Sequence, residues 1–200
     1  MPTLLLIRHA RSTANAAGVL AGWTEGVGLD DTGRGQAAAL RERLRGTELA
    51  RVVSSPLQRC RETAEIVLDG AAPVLDDRLG ETRYGDWTGR PLAELAKEPL
   101  WQVVQAHASA ARFPGADGES LADVQHRAVV AVREHDAEVT AQAGPDAVWA
   151  VFSHGDVIAT VLADALGMHL DAYQRIQVFP CSVSVVRYTP LRPFVVRMND

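Results

Sequence analysis

Near its start the chain reads Leu4-Leu5-Leu6-Ile7-Arg8-His9-Ala10-Arg11-Ser12-Thr13-Ala14-Asn15, and this stretch decides the fold. Consecutive aliphatic residues lead into a basic pair, and small or polar residues follow it. An apolar run of this kind predicts a strand covered on both faces, as in a parallel sheet. Ligand sites of open α/β sheets lie at the carboxyl ends of such strands. We therefore expect Arg8 and His9 at a ligand-binding edge; on this stretch alone, a basic pair that only faces solvent is the alternative.

The composition limits the class of protein. The 200 residues are 47% hydrophobic and 22% charged, the balance of a soluble globular protein, and they predict one domain over 1–200. A net charge of -5 disfavours a nucleic-acid partner, so an anion site has to be a local cluster of arginines. No apolar run has the length of a membrane span and no leader precedes the first strand, so we expect no membrane partner and a cytoplasmic location.

The two cysteines, Cys60 and Cys181, do not have the spacing of a metal site or a redox motif. A cytosolic protein keeps such thiols reduced, and a free cysteine packs as a small hydrophobe. We interpret both as packing residues. No cofactor and no metal are expected.

Apolar runs alternate with helical patterns along most of the chain. A helix is expected from Asp30 to near Gly46, a second one with Ser55-Pro56 as N-cap and first residue, and the longest one from a capping box at Ser120. Strands are expected at 4–7, 51–54, 73–75, 148–153, 183–188 and 194–197. This order predicts a three-layer α/β/α fold with a mostly parallel central sheet. The hairpin-like last pair predicts at least one antiparallel strand. The weakly patterned segment 90–118 is interpreted as an excursion and a possible lid.

Two histidines and two arginines fall at strand ends or in the first turn of the following helix. They are Arg8, His9, Arg59 and His154, and Glu81 lies in a glycine-rich loop expected to join them. Guanidinium groups orient a phosphate dianion, an imidazole can act as a nucleophile, and a carboxylic acid can protonate a leaving oxygen. The combination of two arginines, two histidines and a carboxylate therefore indicates phosphate chemistry. Each histidine taken singly would more simply be a structural residue.

Four motifs in order make the chain resemble the histidine phosphatase superfamily, also called the phosphoglycerate mutase-like family, over nearly its full length. R-H-G-x-S/T-x-x-N corresponds to residues 8–15, with Ala10 in place of glycine, and S-S-x-L-x-R-x-x-x-T-A corresponds to residues 54–64. E-x-x-x-G-x-W-x-G matches Glu81, Gly85, Trp87 and Gly89, and S-H-G is Ser153-His154-Gly155.

The resemblance implies a phosphoglycerate mutase-like fold and a metal-independent phosphatase of a small phosphorylated metabolite. It implies a phosphohistidine on His9, a phosphate pocket of Arg8, Arg59 and His154, and Glu81 as proton donor and later base. Ser12 and Asn15 would contact the phosphate or the substrate, and the backbone of Gly155 would lie beside it. Ala10 departs from the family pattern, and a methyl group there is expected to be unfavourable if the position needs close approach or positive φ.

The other histidines have simpler interpretations. His107, His126 and His169 are expected to be solvated helix residues, and His135 continues the apolar stripe of the longest helix as a partly buried residue. The ring of Tyr84 can equally well touch substrate or pack.

Three functions remain open, namely a phosphomonoesterase, a phosphoglycerate-type mutase, and a binding protein with little turnover, which only Ala10 favours. The mutases of the family carry a lysine three residues after the last glycine of the third motif, where this chain has Leu92, and an Arg-Arg pair further along. Between 90 and 120 the only cations are Arg90, Lys97 and Arg112. We therefore expect hydrolysis rather than mutase activity. The oligomeric state does not follow from the sequence.

Overall fold

The computed structural model describes residues 1–200 and contains one six-stranded sheet in the order β3-β2-β4-β1-β5-β6. The strands are β1 (Thr3–Arg8), β2 (Arg51–Ser54), β3 (Val74–Leu75), β4 (Val148–Ser153), β5 (Val183–Tyr188) and β6 (Pro193–Arg197). The helices are α1 (Thr13–Ala17), α2 (Asp31–Arg43), α3 (Gln58–Val67), α4 (Leu92–Leu95), α5 (Pro99–Ala106), α6 (Leu121–Ala143) and α7 (Gly155–Ala165). None of these helices is long and apolar enough to cross a lipid bilayer.

The sheet is mostly parallel. β1 pairs in parallel with β4, β4 with β2, and β2 with β3, whereas β5 runs antiparallel to both β1 and β6. Helices cover both faces. The predicted three-layer α/β fold, with a mostly parallel sheet and an antiparallel strand, is therefore confirmed.

The side chains of β1 alternate between two cores. Leu4 and Leu6 belong to the larger core, beneath α6 and α7, whereas Leu5 and Ile7 belong to the smaller one, beneath α2 and α3. All four are at most 7% exposed. This two-sided burial explains why the run is aliphatic throughout, since each such side chain contributes about 1.5–3 kcal/mol when removed from water. Truncation of Leu6 to alanine is expected to cost about 2–5 kcal/mol.

The longest helix, α6, begins as predicted. The hydroxyl of Ser120 accepts from the amide of Asp123, and the Asp123 side chain accepts from the Ser120 backbone, which is a complete capping box. Its apolar stripe is buried in the larger core. His135 is only 7% exposed, and its Nε2 lies 2.9 Å from Asp76 Oδ2, so it is more buried than expected.

Two local predictions need correction. α3 begins at Gln58 with Leu57 as N-cap, not at Ser55-Pro56. The side chain of Ser55 instead faces His154, so a tertiary contact replaces the local cap. A 3₁₀ helix, Leu170–Arg175, follows α7. His107 and His169 are exposed, but they flank helices rather than lie within them.

The segment 90–118 contains α4, α5 and a 3₁₀ turn. Leu95, Val104, Ala108 and Phe113 anchor it in the larger core, each at most 6% exposed. Other side chains of the segment line the cavity described below. Its role as a lid stays a prediction.

Candidate active site

Three parallel strands bring the site together at one edge of the sheet. Arg8 at the end of β1 stands beside Ser153 at the end of β4, and Ser54 at the end of β2 stands beside Phe152. His9, His154 and Ser55 follow these strands directly. The next helical turn, at the start of α3, carries Arg59 to the same edge. Residues separated by as many as 146 positions therefore meet because their strands end in register.

His9 is held in one tautomer. Its Nδ1 lies 2.7 Å from the carbonyl oxygen of Ala10, which can only accept, so Nδ1 carries the proton. Its Nε2 receives the Nε–H of Arg59 at 3.3 Å and therefore presents a lone pair. Burial, followed by the charges of Arg59 and Arg8, holds the pKa of His9 well below its ordinary value. The imidazole is consequently neutral at pH 7, with its lone pair on Nε2.

The two arginines provide an unsatisfied anion site. Arg59 is 2% exposed and donates from Nη2 to the carbonyl of Gly22 at 3.0 Å. Arg8 donates from Nη1 to the carbonyl of Val178 at 2.5 Å, but its buried Nε has no partner. A buried, unpaired guanidinium N–H is unfavourable, and an anion beside it would satisfy this donor.

The N-terminus of α7 adjoins the same guanidinium. A Cβ placed on Gly155 would lie 3.3 Å from Arg8 Cζ, which is tighter than an ordinary contact. Glycine therefore lets the helix end approach the arginine closely. The free amides at such a helix end favour negative charge, so the arginine and the helix act on the same volume.

His154 is completely buried behind Arg59. Arg59 Nη2 donates to its Nδ1 at 3.2 Å, so its Nε2 carries the proton and donates to the hydroxyl of Ser55 at 2.7 Å. The rings of His9 and His154 are 5.2 Å apart and nearly edge to face. Burial lowers the pKa of His154 well below its ordinary value, with the Arg59 charge as the second cause. The same burial raises the pKa of Cys60 to about 12, so this neighbour stays a thiol.

Glu81 faces His154 and Arg59 from the loop after β3. Its Oε2 lies 3.5 Å from His154 Nδ1 and 3.8 Å from Arg59 Nη2, and its Oε1 accepts from the amide of Thr82 at 3.0 Å. Burial raises the pKa of Glu81 to about 7, and the charge of Asp156 adds to this shift. The carboxyl group can therefore both give and take a proton near neutral pH.

Arg127, which the sequence interpretation missed, fixes the loop that carries Glu81. This residue of α6 donates to the carbonyls of Arg78 at 2.6 Å, Gly80 at 2.9 Å and Glu81 at 3.1 Å. Trp23 Nε1 also donates to the Glu81 carbonyl, at 2.6 Å. A Cβ on Gly80 would lie 2.4 Å from this indole, so only glycine fits there. No local sequence signal marks Arg127, because its partners are distant in the chain.

Ser12 and Asn15 interact with each other at the start of α1. The Ser12 hydroxyl lies 3.0 Å from Asn15 Oδ1 and accepts from the Asn15 amide at 3.2 Å, as in a capping box. Both line the cavity. This pair accounts for the N-cap of a helix that was not predicted, and it places two polar side chains beside His9.

Ala10 fits its position. It is fully buried, its amide donates to Thr63 Oγ1 at 3.0 Å, and it does not adopt a positive φ. Thr63 was visible in the sequence as the threonine of the second motif. The methyl group of Ala10 therefore meets no conformational penalty of the kind that would require glycine.

All these groups surround one cavity of about 670 Å³. Seven of the eight residues singled out from the sequence line it, namely Arg8, His9, Ser12, Asn15, Arg59, Glu81 and Gly155. His154 lies behind them. Tyr84 both packs and lines the cavity, and its hydroxyl donates to Asp156 Oδ2 at 2.7 Å. No group of three or more His, Cys, Asp or Glu side chains is arranged to hold a metal ion.

A family model matches residues 4–200, and its description is histidine phosphatase superfamily (branch 1). The chain belongs to the histidine phosphatase superfamily. Among curated relatives of this superfamily member is a protein of Yersinia pestis called probable phosphoglycerate mutase GpmB. The two are 31% identical over 192 residues, which cover 94% of this chain and 86% of the relative.

Solved structures of the same fold include phosphatases. The protein YhfR of Bacillus stearothermophilus matches with a TM-score of 0.87 and 29% identity, covering 100% of this chain and 98% of that one. A mycobacterial glucosyl-3-phosphoglycerate phosphatase, solved in complex with VO3, matches with a TM-score of 0.84 and 27% identity over 98% of both chains. This histidine phosphatase superfamily member is thus similar to both phosphatases and a mutase-named protein.

Proposed function

We propose that the protein is a metal-independent phosphomonoester hydrolase that acts on a small phosphorylated metabolite through a phosphohistidine on His9. One observation carries this proposal. His9 carries its lone pair on Nε2, where it accepts from Arg59 Nε, and both residues line a cavity in which two arginines and a helix N-terminus favour a dianion. A neutral, oriented imidazole beside an anion site is what nucleophilic displacement at phosphorus requires.

In the first step, Nε2 of His9 forms a bond to phosphorus while the ester P–O bond breaks. The electron pair leaves on the alcohol oxygen, which takes the proton of Glu81. Arg8, Arg59 and the amide of Gly155 hold the phosphoryl oxygens, and His154 orients Arg59 from behind, so no metal ion is needed to neutralise them. Ser12 and Asn15 contribute polar contacts at the rim.

In the second step, water attacks the phosphohistidine. Glu81, now a carboxylate, takes a proton from this water, and the N–P bond breaks with its electron pair returning to Nε2. Phosphate leaves, and both groups are restored. A pKa of about 7 suits Glu81 for both roles because acid and base forms are comparably populated at neutral pH.

A mutase is the second candidate, since a relative carries that name. Mutase activity retains a substrate whose carboxylate and second phosphate need further cations. Leu92 lines the cavity, whereas Arg90 pairs with Glu98 at 2.8 Å and Arg112 with Asp123 at 3.0 Å, both outside the cavity lining. The lack of additional cations favours release of phosphate to water. Bisphosphate-dependent interconversion of 2- and 3-phosphoglycerate with negligible phosphate release would instead establish the mutase.

Trapping of the intermediate tests the proposal. After incubation with a ³²P-labelled phosphomonoester and an alkaline quench, the wild-type protein should carry acid-labile, base-stable phosphate on His9. The His9→Ala variant should lose both label and turnover, whereas the exposed His126→Ala variant should keep both. Label and turnover retained in His9→Ala would refute the mechanism. An unlabelled wild-type protein that still binds phosphate esters would support the binding-protein alternative.

A further inference from the structure

Beyond the phosphate-binding edge, the cavity is lined by aromatic and amide side chains and contains no further cation. Its outer walls include the rings of Trp87, Trp101, Phe113 and Phe179. The polar groups among them are mainly the amides of Gln105, Gln174 and Gln177. Arg8 and Arg59 are the only cationic residues of the whole lining, and both belong to the phosphate site. The part of a substrate that carries no phosphate would therefore lie where no positive charge can pair with it.

The cavity lining also contains a carboxylate that the mechanism above does not use. Asp156 lies in the first turn of α7, two residues after His154, and lines the cavity. Its Oδ2 accepts from the hydroxyl of Tyr84 at 2.7 Å, whereas its Oδ1 receives no hydrogen bond from the chain. The Tyr84 ring is itself fixed edge to face against Phe113, with centroids 4.9 Å apart. One oxygen of Asp156 is thus held in place and the other is left as a free acceptor.

Asp156 shares this cavity with Glu81. The two carboxyl groups are close enough for the charge of Asp156 to raise the pKa of Glu81. Carboxylates in a shared, partly desolvated volume disfavour further negative charge and favour hydrogen-bond donors. A purely structural role for Asp156 would account for Oδ2 and its bond to Tyr84, but it leaves Oδ1 of this cavity-lining residue without a partner.

We propose that Asp156 determines substrate specificity: its free oxygen accepts a hydrogen bond from a hydroxyl or ammonium group on the alcohol part of the phosphate ester. Because both arginines of the cavity lining hold the phosphate, its charge disfavours esters whose alcohol part carries a carboxylate or a second phosphate. This inference rests on the proposed phosphatase function and defines its substrate class as monophosphates of neutral or cationic, donor-bearing alcohols. The aromatic walls accommodate the apolar surface of such an alcohol.

Esters of matched size test this inference. We would measure kcat/KM for glycerol 3-phosphate, which is a neutral diol ester, 3-phosphoglycerate, which carries a carboxylate, and phosphoethanolamine, which carries an ammonium group. The wild-type protein should prefer glycerol 3-phosphate to 3-phosphoglycerate by at least about tenfold, which corresponds to about 1.4 kcal/mol. Phosphoethanolamine should likewise exceed 3-phosphoglycerate.

The isosteric Asp156→Asn variant should reduce the preference for glycerol 3-phosphate by at least about threefold. Any change in the acidity of Glu81 affects all the esters. The ratio of kcat/KM for glycerol 3-phosphate to kcat/KM for 3-phosphoglycerate therefore isolates the effect on specificity. Asp164→Asn is the matched control, since Asp164 lies on the same helix but pairs with Arg133 at 2.9 Å outside the cavity. This control should leave the ratio unchanged. A wild-type preference for 3-phosphoglycerate, or an unchanged ratio in Asp156→Asn, would overturn the inference.

Hydrolysis of p-nitrophenyl phosphate separates failure of this inference from failure of the proposed function. If that ester is hydrolysed but the charge preference is absent, only the role of Asp156 is wrong. If it is not hydrolysed, the phosphatase proposal fails. The preference is then read from affinities of the same three esters, measured by quenching of tryptophan fluorescence from the cavity wall. If Asp156→Asn bound each ester with the same affinity as the wild-type protein, the inference would be overturned by this measurement as well.

Discussion

The guanidinium of Arg59 lies 3.3 Å from Nε2 of His9 and 3.2 Å from Nδ1 of His154, so one side chain of α3 orients both imidazoles. It also anchors itself to the carbonyl of Gly22. The planar fork of donors makes these contacts possible from a single residue. This relationship links the second sequence motif to the first and the fourth, and it suggests that the site depends on the shape of Arg59 as well as on its charge.

We expect Arg59→Lys to lower kcat/KM by about 10²–10³-fold, because an ammonium group preserves the charge but cannot contact both histidines in the geometry of the fork. Steady-state kinetics with p-nitrophenyl phosphate would measure the loss. Arg61→Lys, an exposed position on the same helix, is the matched control and should retain activity. If Arg59→Lys were equally active, the fork geometry would be irrelevant to catalysis.

Glu81→Gln should slow esters with poor leaving groups far more than activated ones. Only a poor leaving oxygen needs a proton in the transition state, so we expect a loss of about 10²–10³-fold for an alkyl phosphate and a much smaller loss for phosphorylation by p-nitrophenyl phosphate. Single-turnover rates of alcohol release would isolate this step. An equal loss for both esters would remove Glu81 from the role of acid.

The pH dependence of kcat/KM should show an alkaline limb near pH 7. Glu81 must be protonated in the first step, and burial together with the charge of Asp156 raises its pKa to about 7, against the opposing charges of Arg59 and Arg8. Activity is therefore present below this pH and falls as the pH rises through it. The acid limb should lie below pH 6.5, because the pKa of His9 is held well below that value by burial and the two arginines.

Two variants check the assignment of the alkaline limb. Asp156→Asn removes a charge that raises the pKa of Glu81, so the limb should move to lower pH. Asp164→Asn should leave it in place. The limb should disappear in Glu81→Gln for esters of poor leaving groups. Its persistence there would assign the titration to another group.

Treatment with EDTA should leave activity unchanged. The arginines supply the positive charge that a metal would otherwise provide, and no group of His, Cys, Asp or Glu side chains is arranged as a ligand set. Turnover before and after chelation, with metal content measured by mass spectrometry, tests this. Loss of activity that a divalent ion restores would contradict the metal-independent mechanism.

The sequence by itself determined the sheet and the chemical inventory of its edge. Uninterrupted apolar runs in β1 and β4 require strands that are buried on both faces. Because these two strands run parallel, Arg8, His9 and His154 lie at one edge of the sheet, independently of the loop conformations. Capping signals also act locally, so Ser120 and Asp123 marked the start of α6 correctly. The family motifs further singled out Arg59 and Glu81, which line the same cavity.

Only the tertiary structure decided how these groups are held. Ser55 contacts His154 and does not cap α3 as expected. Arg127 of α6 donates to the carbonyl of Glu81 and so fixes its loop. Both contacts join residues that are far apart in the chain. The tautomer of His9 is fixed because the carbonyl of Ala10 accepts from Nδ1 and Arg59 donates to Nε2. Patterns along a sequence indicate backbone periodicity and local caps. The tautomers of the histidines, the unpaired Nε–H of Arg8 and the unpaired Oδ1 of Asp156 are decided only when distant segments pack together.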